Sequence, residues 1–240
     1  MSKREQEKLA KHLALFEGPD APKKVLRHVT RYALCEKAQA KIFELPNAME
    51  VLTAYIKHDA LCDEAELKML AHSDAKKFVR VYIRQFALCY EAEAAMIRLP
   101  DAADLVLEYV NLYDYELGDE ADKLIFSLPN AKTILNVLFD KELCLSDEAE
   151  AMLVNLPDNF ELFEKYVSNY NLGKPGRKAL LERKDNKKYL LCYVENYYSF
   201  DMDEFFVLME HPDADEIIEA YKFQCDDWIK EYNKRKKKAE

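Results

Sequence analysis

Glycine is nearly missing from this chain: four residues in 240, alongside a single tryptophan. So little glycine argues against turn-dense all-β folds, which need it wherever φ turns positive. No apolar run is long enough to cross a bilayer, the longest clusters being 189–194 and 205–209. The charged start, MSKREQEK, is unlike a signal peptide. These absences lead us to expect a soluble, cytoplasmic chain with no membrane partner. Closely spaced cysteine pairs of the C-x2–4-C kind are also lacking, so no metal site is expected from Cys35, Cys62 and Cys89 with His58 and His72. No nucleophile elbow or phosphate-binding loop occurs, and GKPGRK at 173–178 lacks the P-loop spacing. The expectation is therefore a protein that is not an enzyme and carries no cofactor.

What is present is a helix-forming composition, half hydrophobic and one-third charged. It is ordered by a repeat. A corner recurs at Pro19, Pro46, Ser73, Pro100, Pro129, Pro157, Lys184 and Pro212, at intervals of 27 to 29 residues. The residue that follows is always Asp or Asn: Asp20, Asn47, Asp74, Asp101, Asn130, Asp158, Asp185 and Asp213. Proline pushes its predecessor out of the helical region and ends one helix. Asp and Asn are favoured N-caps, so the corner is expected to open the next helix through their side chains. Nine places after each corner stands a column of His28, Tyr55, Tyr82, Tyr109, Leu138, Tyr166, Tyr193 and Tyr221. Before each corner lie apolar pairs such as Met69 and Leu70. One turn earlier sits a small residue: Ala38, Ala65, Ala92, Ala121, Ala149 or Gly176. That spacing gives each helix one buried stripe. Gly118, Ser146, Gly173 and Asp201 suit the starts of the first helices. The acidic pairs Glu64/Glu66 and Glu91/Glu93 suit the positive helix end there.

Helices this short are marginal alone and must stack to bury their stripes. The expected fold is all-α: a right-handed α–α superhelix (solenoid) of about eight helix-pair repeats in a single domain over 1–240. A cap helix is expected at 3–17, repeats at 18–212, a closing helix at 213–234 and a basic tail at 235–240. Cysteines 35, 62 and 89 recur at one place in successive units. Packed helices lie about 9–10 Å apart, beyond the roughly 7 Å a disulfide spans between Cα atoms. Free thiols, packed as small near-hydrophobes at helix starts, are the expectation.

The Leu-Pro-Asn/Asp-Ala corner resembles the short (27–28-residue) α-helical repeats of uncharacterised bacterial proteins. More distantly it is similar to superhelices of the HEAT and tetratricopeptide type, whose periods are longer. The tetratricopeptide signature itself is missing. The resemblance implies a scaffold that binds peptides, helices or proteins, sometimes nucleic acid, and supplies no catalytic residue.

Charge is unevenly distributed. Residues 1–90 hold 16 Lys/Arg against 12 Asp/Glu, residues 91–170 hold 5 against 18, and residues 171–240 hold 14 against 15. Within the last block lies a basic island of Lys174, Arg177, Lys178, Arg183, Lys184, Lys187 and Lys188, at the one internal unit that loses its Leu-Pro corner. The expected function is a non-catalytic protein-interaction scaffold, a monomer, presenting an extended groove with an acidic middle. Its candidate partner-binding residues are that island and the aromatic positions Tyr109, Tyr113, Tyr170, Tyr197 and Tyr198, the outer rings above all. The alternative is a nucleic-acid-associated protein gripping phosphates through 174–188, which the acidic middle disfavours. A variant of it is an acidic mimic that occupies a nucleic-acid-binding partner.

Overall fold

The computed structural model describes residues 2–196, 199–221 and 226–239. These form seventeen α-helices, with no strand among the described residues. The chain divides into two compact units, 1–130 and 131–240.

The first unit holds α1 (Lys3–Ala14), α2 (Ala21–Val29), α3 (Glu36–Gln39), α4 (Ala48–Tyr55), α5 (Asp63–Leu70), α6 (Ala75–Tyr82), α7 (Tyr90–Ile97), α8 (Ala103–Leu112) and α9 (Asp119–Ile125). A 3-10 segment, Ala40–Glu44, continues α3. Packing alternates: α2, α4 and α6 lie side by side in one row, and α1, α3, α5, α7 and α9 in another. The second unit holds α10 (Ala131–Asp140), α11 (Asp147–Asn155), α12 (Phe160–Val167), α13 (Lys174–Glu182), α14 (Lys187–Glu195), α15 (Met202–Met209), α16 (Ala214–Ala220) and α17 (Asp226–Ala239). Here α10, α12, α14 and α16 form one row and α11, α13, α15 and α17 the other.

The expected stripes face inward. Tyr55, Tyr82, Tyr109, Leu138, Tyr166, Tyr193 and Tyr221 are buried, as are Ala38, Ala65, Ala92, Ala121 and Ala149. A column of small residues leaves room for the first helices to lie close. At Gly176 an added Cβ would come within 3.2 Å of the Glu150 and Leu172 side chains.

The corners separate helices as expected, but by a different device. Asp20, Asn47, Asp74 and Asp213 stand at the N-cap, yet none makes a side-chain capping bond. Their φ/ψ values, −90/4 at Asp20 and −103/22 at Asp213, are those of the third residue of a type I turn. Such a residue is not extended, so its side chain does not reach the amides ahead. The turn closes through the backbone instead: Ala48 N–H donates to the Leu45 carbonyl at 3.1 Å and Ala214 N–H to the His211 carbonyl at 3.0 Å. Asp101 and Asp158 take positive φ, 49° and 47°, a conformation that Asp tolerates better than most residues. In their units the helix begins later, at Ala103 and Phe160.

The closing helix expected over 213–234 is two helices. Residue Tyr221 leaves the helical region with φ −70 and ψ 106, which ends α16. The segment expected as a basic tail is helical through Ala239. No helix among the described residues is long and apolar enough to cross a membrane.

Candidate functional site

A polar ladder runs through the packed rows. Seven residues before each of the first seven corners stand His12, Gln39, Glu66, Glu93, Asp122, Glu150 and Arg177, and all but Arg177 are buried. The sequence reading ascribed Glu66 and Glu93 to the helix dipole. Instead, their carboxylates bridge three elements. Glu66 accepts the Tyr82 hydroxyl at 2.7 Å and, through its other oxygen, the Cys89 N–H at 2.7 Å. Glu93 accepts from Tyr109 at 2.9 Å and from the Gly118 N–H at 2.9 Å. Glu150 accepts from Tyr166 at 2.7 Å and from the Gly173 N–H at 2.5 Å. Each tyrosine oxygen in turn accepts a backbone N–H: Leu61 for Tyr82, Leu88 for Tyr109, Leu145 for Tyr166. Gln39 and His12 accept the Cys62 and Cys35 N–H in the same manner. The N-cap amides of α3, α5, α7, α9 and α13, which have no partner within their own helices, are thus satisfied from the preceding repeat.

Burial dominates the titration of these groups. It raises Glu66, Glu93 and Glu150 above the ordinary carboxylate value, Glu150 to about 6, with the two hydrogen bonds pulling the other way. It also raises the tyrosines. The signal was available in the sequence as a polar residue recurring at a fixed distance from the corner, opposite the tyrosine column.

The cysteines expected in the core are half-buried: Cys35, Cys62 and Cys89 occupy N-cap positions, where each backbone N–H donates to the preceding repeat and the Cys62 thiol donates to the Glu36 carbonyl at 3.7 Å. Cys35, Cys62, Cys89 and Cys192 form no disulfide. Among the described residues, no three His, Cys, Asp or Glu side chains converge as a metal would require.

Of the candidate aromatic residues, Tyr109 is fully buried and also meets the Tyr115 hydroxyl, so its ring offers no surface to a partner. Tyr113 and Tyr170, the outer rings, are half-buried and donate to backbone carbonyls one repeat back, of Ile83 at 2.6 Å and of Glu142. Tyr197 and Tyr198 lie outside the described residues.

The basic island separates into two sets. Arg177 pairs with Glu204 at 2.7 Å and donates to the Leu172 carbonyl. Arg183 pairs with Asp185 at 2.7 Å, donates to the Val154 carbonyl and lies 3.9 Å over the Tyr189 ring. Lys187 bridges Asp213 and Glu216. Those three cations are spent inside the unit. Lys174, Lys178, Lys184 and Lys188 remain exposed.

Lys188 borders a cleft of the second unit. It lies 4.6 Å over the Phe160 ring, in an open cavity of about 760 Å³ where α10, α12 and α14 meet. Lys132, Lys165 and Arg183 contribute positive charge to the walls, and Asp158, Glu161 and Asp185 negative charge. Lys165 is held by Asp140 at 2.5 Å and by Asn136. The arrangement can bind a chain of mixed charge; the half-buried Phe160 ring adds a flat wall, with the buried Tyr189 ring behind it.

No protein-family model, curated protein or solved structure matches the chain. What the coordinates define is an all-helical protein of two units, each built from alternating rows.

Proposed function

We propose that the chain is a non-catalytic interaction scaffold: a right-handed α–α superhelix of about eight helix pairs that holds a protein or peptide partner along an extended groove. It would act as a monomer in the cytoplasm. The observation that supports this reading most is the cleft across α10, α12 and α14, with Lys165, Lys188 and the Phe160 ring on its walls. Stacked helix rows present such surfaces side by side, and a peptide lying across them meets equivalent positions of successive helices. The preferred partner segment carries acidic residues, spaced to meet Lys132 and Lys188, which have no carboxylate partner among the described residues.

Charge favours this over the acidic-mimic reading. Within 91–170, Glu93, Asp122 and Glu150 are buried, while Glu108, Glu120 and Asp140 are paired with cations. These six of the eighteen carboxylates of the acidic middle are therefore internal or compensated. The nucleic-acid reading loses Arg177, Arg183 and Lys187 to internal pairs.

The test is a peptide-display selection against the full chain and against the double variant Lys132→Glu/Lys188→Glu, with circular dichroism to verify folding. Acidic peptides enriched on the parent and lost on the variant support the proposal. A selection that enriches nothing, or one indifferent to the charge reversal, rejects it.

A further inference from the structure

At the amino-terminal end of the first unit, the structure gathers cations that the sequence scatters. Arg4, Lys8 and Lys11 share one face of α1, at spacings of four and three. They border an open cavity of about 800 Å³ whose opposite wall is Arg31, Tyr32 and the ring of His28, at and just past the end of α2. All four cations are exposed, and among the described residues none of their side chains takes part in an ion pair or a hydrogen bond. Among the described residues, Glu7 is the only carboxylate on the cavity wall. Lys187 and Arg177 of the second unit, by contrast, each have a carboxylate partner in place.

Two rings complete the pocket. His28 and Tyr32 lie with centroids 5.3 Å apart, and Tyr32 is 62% exposed. The Nε2 atom of His28 is buried from solvent with no hydrogen-bond partner. Its neighbour His12, 5.1 Å away between centroids, uses Nδ1 to accept the Cys35 N–H. That acceptor role places a neutral ring's proton on Nε2. The field is felt locally: after burial, Lys8 and Lys11 depress His12, and Lys11 depresses His28.

We propose that this cavity is a binding site for a nucleotide phosphate, with the phosphate groups met by Arg4, Lys8, Lys11 and Arg31 and the base laid against Tyr32. The charge count selects the ligand class. Four cations against one carboxylate match the several negative charges of a di- or triphosphate, whereas a single carboxylate would leave most of the wall uncompensated. Arginine's planar fork suits phosphate oxygens. An exposed ring braced at a tilt against a second ring offers any base a π-face. The phosphate can come from a free nucleotide or from a nucleic-acid strand, and the chemistry is shared.

The experiment uses the full chain in low salt. Inorganic phosphate, ADP and a short oligothymidylate are titrated by calorimetry, with the parent, Lys8→Glu/Lys11→Glu and Tyr32→Ala. All three substituted residues are exposed, and circular dichroism checks that the helices survive. ADP is expected to bind more tightly than inorganic phosphate and to weaken steeply as salt is raised. The charge reversal is expected to weaken ADP at least about ten-fold, the loss of one or two charge-assisted bonds. Tyr32→Ala is expected to bring ADP down to the level of inorganic phosphate. Oligothymidylate binding more tightly than ADP identifies a strand as the source, and the reverse order a free nucleotide. The proposal is overturned if ADP shows no salt-sensitive binding, if the charge reversal leaves its affinity unchanged, or if Tyr32→Ala preserves its advantage over phosphate.

Discussion

The Tyr82 hydroxyl donates to Glu66 at 2.7 Å while its oxygen accepts the Leu61 N–H at 3.2 Å, so one phenol joins a carboxylate to a backbone amide 21 residues before it. Both partners are buried, and removing the hydroxyl leaves the Leu61 N–H and one Glu66 oxygen without their partner. A buried group left without its partner costs about 1–3 kcal/mol. Tyr82→Phe is therefore expected to lower unfolding free energy by about 2–3 kcal/mol in a urea titration. Tyr32→Phe, at an exposed ring whose hydroxyl is bonded to nothing, should change it by less than about 0.5 kcal/mol. Equal effects at the two sites would mean that the ladder does not carry the packing.

The buried carboxyls predict an unusual pH dependence. Burial raises Glu150 from 4.5 to about 6, and Glu66 and Glu93 in the same direction. A folded carboxyl with a raised pKa binds its proton more tightly than the unfolded chain does. Stability from that group is complete below about 4.5 and declines as pH rises through about 6. For Glu150 the decline is at most about 2 kcal/mol, from a shift of about 1.5 units at 1.36 kcal/mol each. Thermal unfolding followed from pH 4.5 to 7 should show this falling limb, and Glu150→Gln should flatten it. A parent profile that rises across the window would contradict the assignment.

The same ladder marks the limit of what periodicity reveals. The corners were legible because proline and Asp/Asn act locally, on the two or three residues around them. The tyrosine and alanine columns were legible because burial follows helical spacing. The partner of each tyrosine was not, since Glu66 and Glu93 look like ordinary first-turn acids until the next repeat's amide is placed over them. Local rules also misjudged Asp20 and Asp213: a preferred N-cap type took the third place of a type I turn instead, where φ and ψ deny its side chain the cap. In the basic island, sequence counted seven cations alike, and only the coordinates of Glu204, Asp185 and Asp213 divide the held from the free.

The cysteines give a chemical test of the half-buried N-cap environment. Burial is the first cause raising the Cys62, Cys89 and Cys192 thiols, Cys89 to about 12 and Cys192 to about 11, with nearby carboxylates adding to it. The thiolate is the reactive form, so these sites hold very little nucleophile at neutral pH. Alkylation of the native protein by iodoacetamide at pH 7.5, followed by peptide mass spectrometry, should be much slower at Cys89 and Cys192 than in the urea-unfolded chain. Rates that match in the two states would show both thiols to be open to solvent and unshifted.

The division within the basic island can be measured on two neighbours. Arg177 and Glu204 meet at 2.7 Å with side chains only 16% and 10% exposed, whereas Lys178 reaches Glu182 at 3.9 Å from an open surface. Glu204 also accepts the Asp201 N–H at 2.9 Å in a capping box, and its other oxygen is buried without a partner. Removing Arg177 therefore strands a carboxylate that water does not reach. Breaking such a pair from one side costs about 3–5 kcal/mol, far more than the pair's own coupling, because the leftover charge is uncompensated. Arg177→Ala should approach that range, and Arg177→Ala/Glu204→Ala should cost clearly less than the two single changes summed. A coupling of about 1–3 kcal/mol from this cycle is the expected outcome. Lys178→Ala should stay within about 0.5 kcal/mol of the parent, as exposed pairs do. If Arg177 and Lys178 prove equally dispensable, Arg177 returns to the set of cations free to meet a partner, and the island acts as one surface.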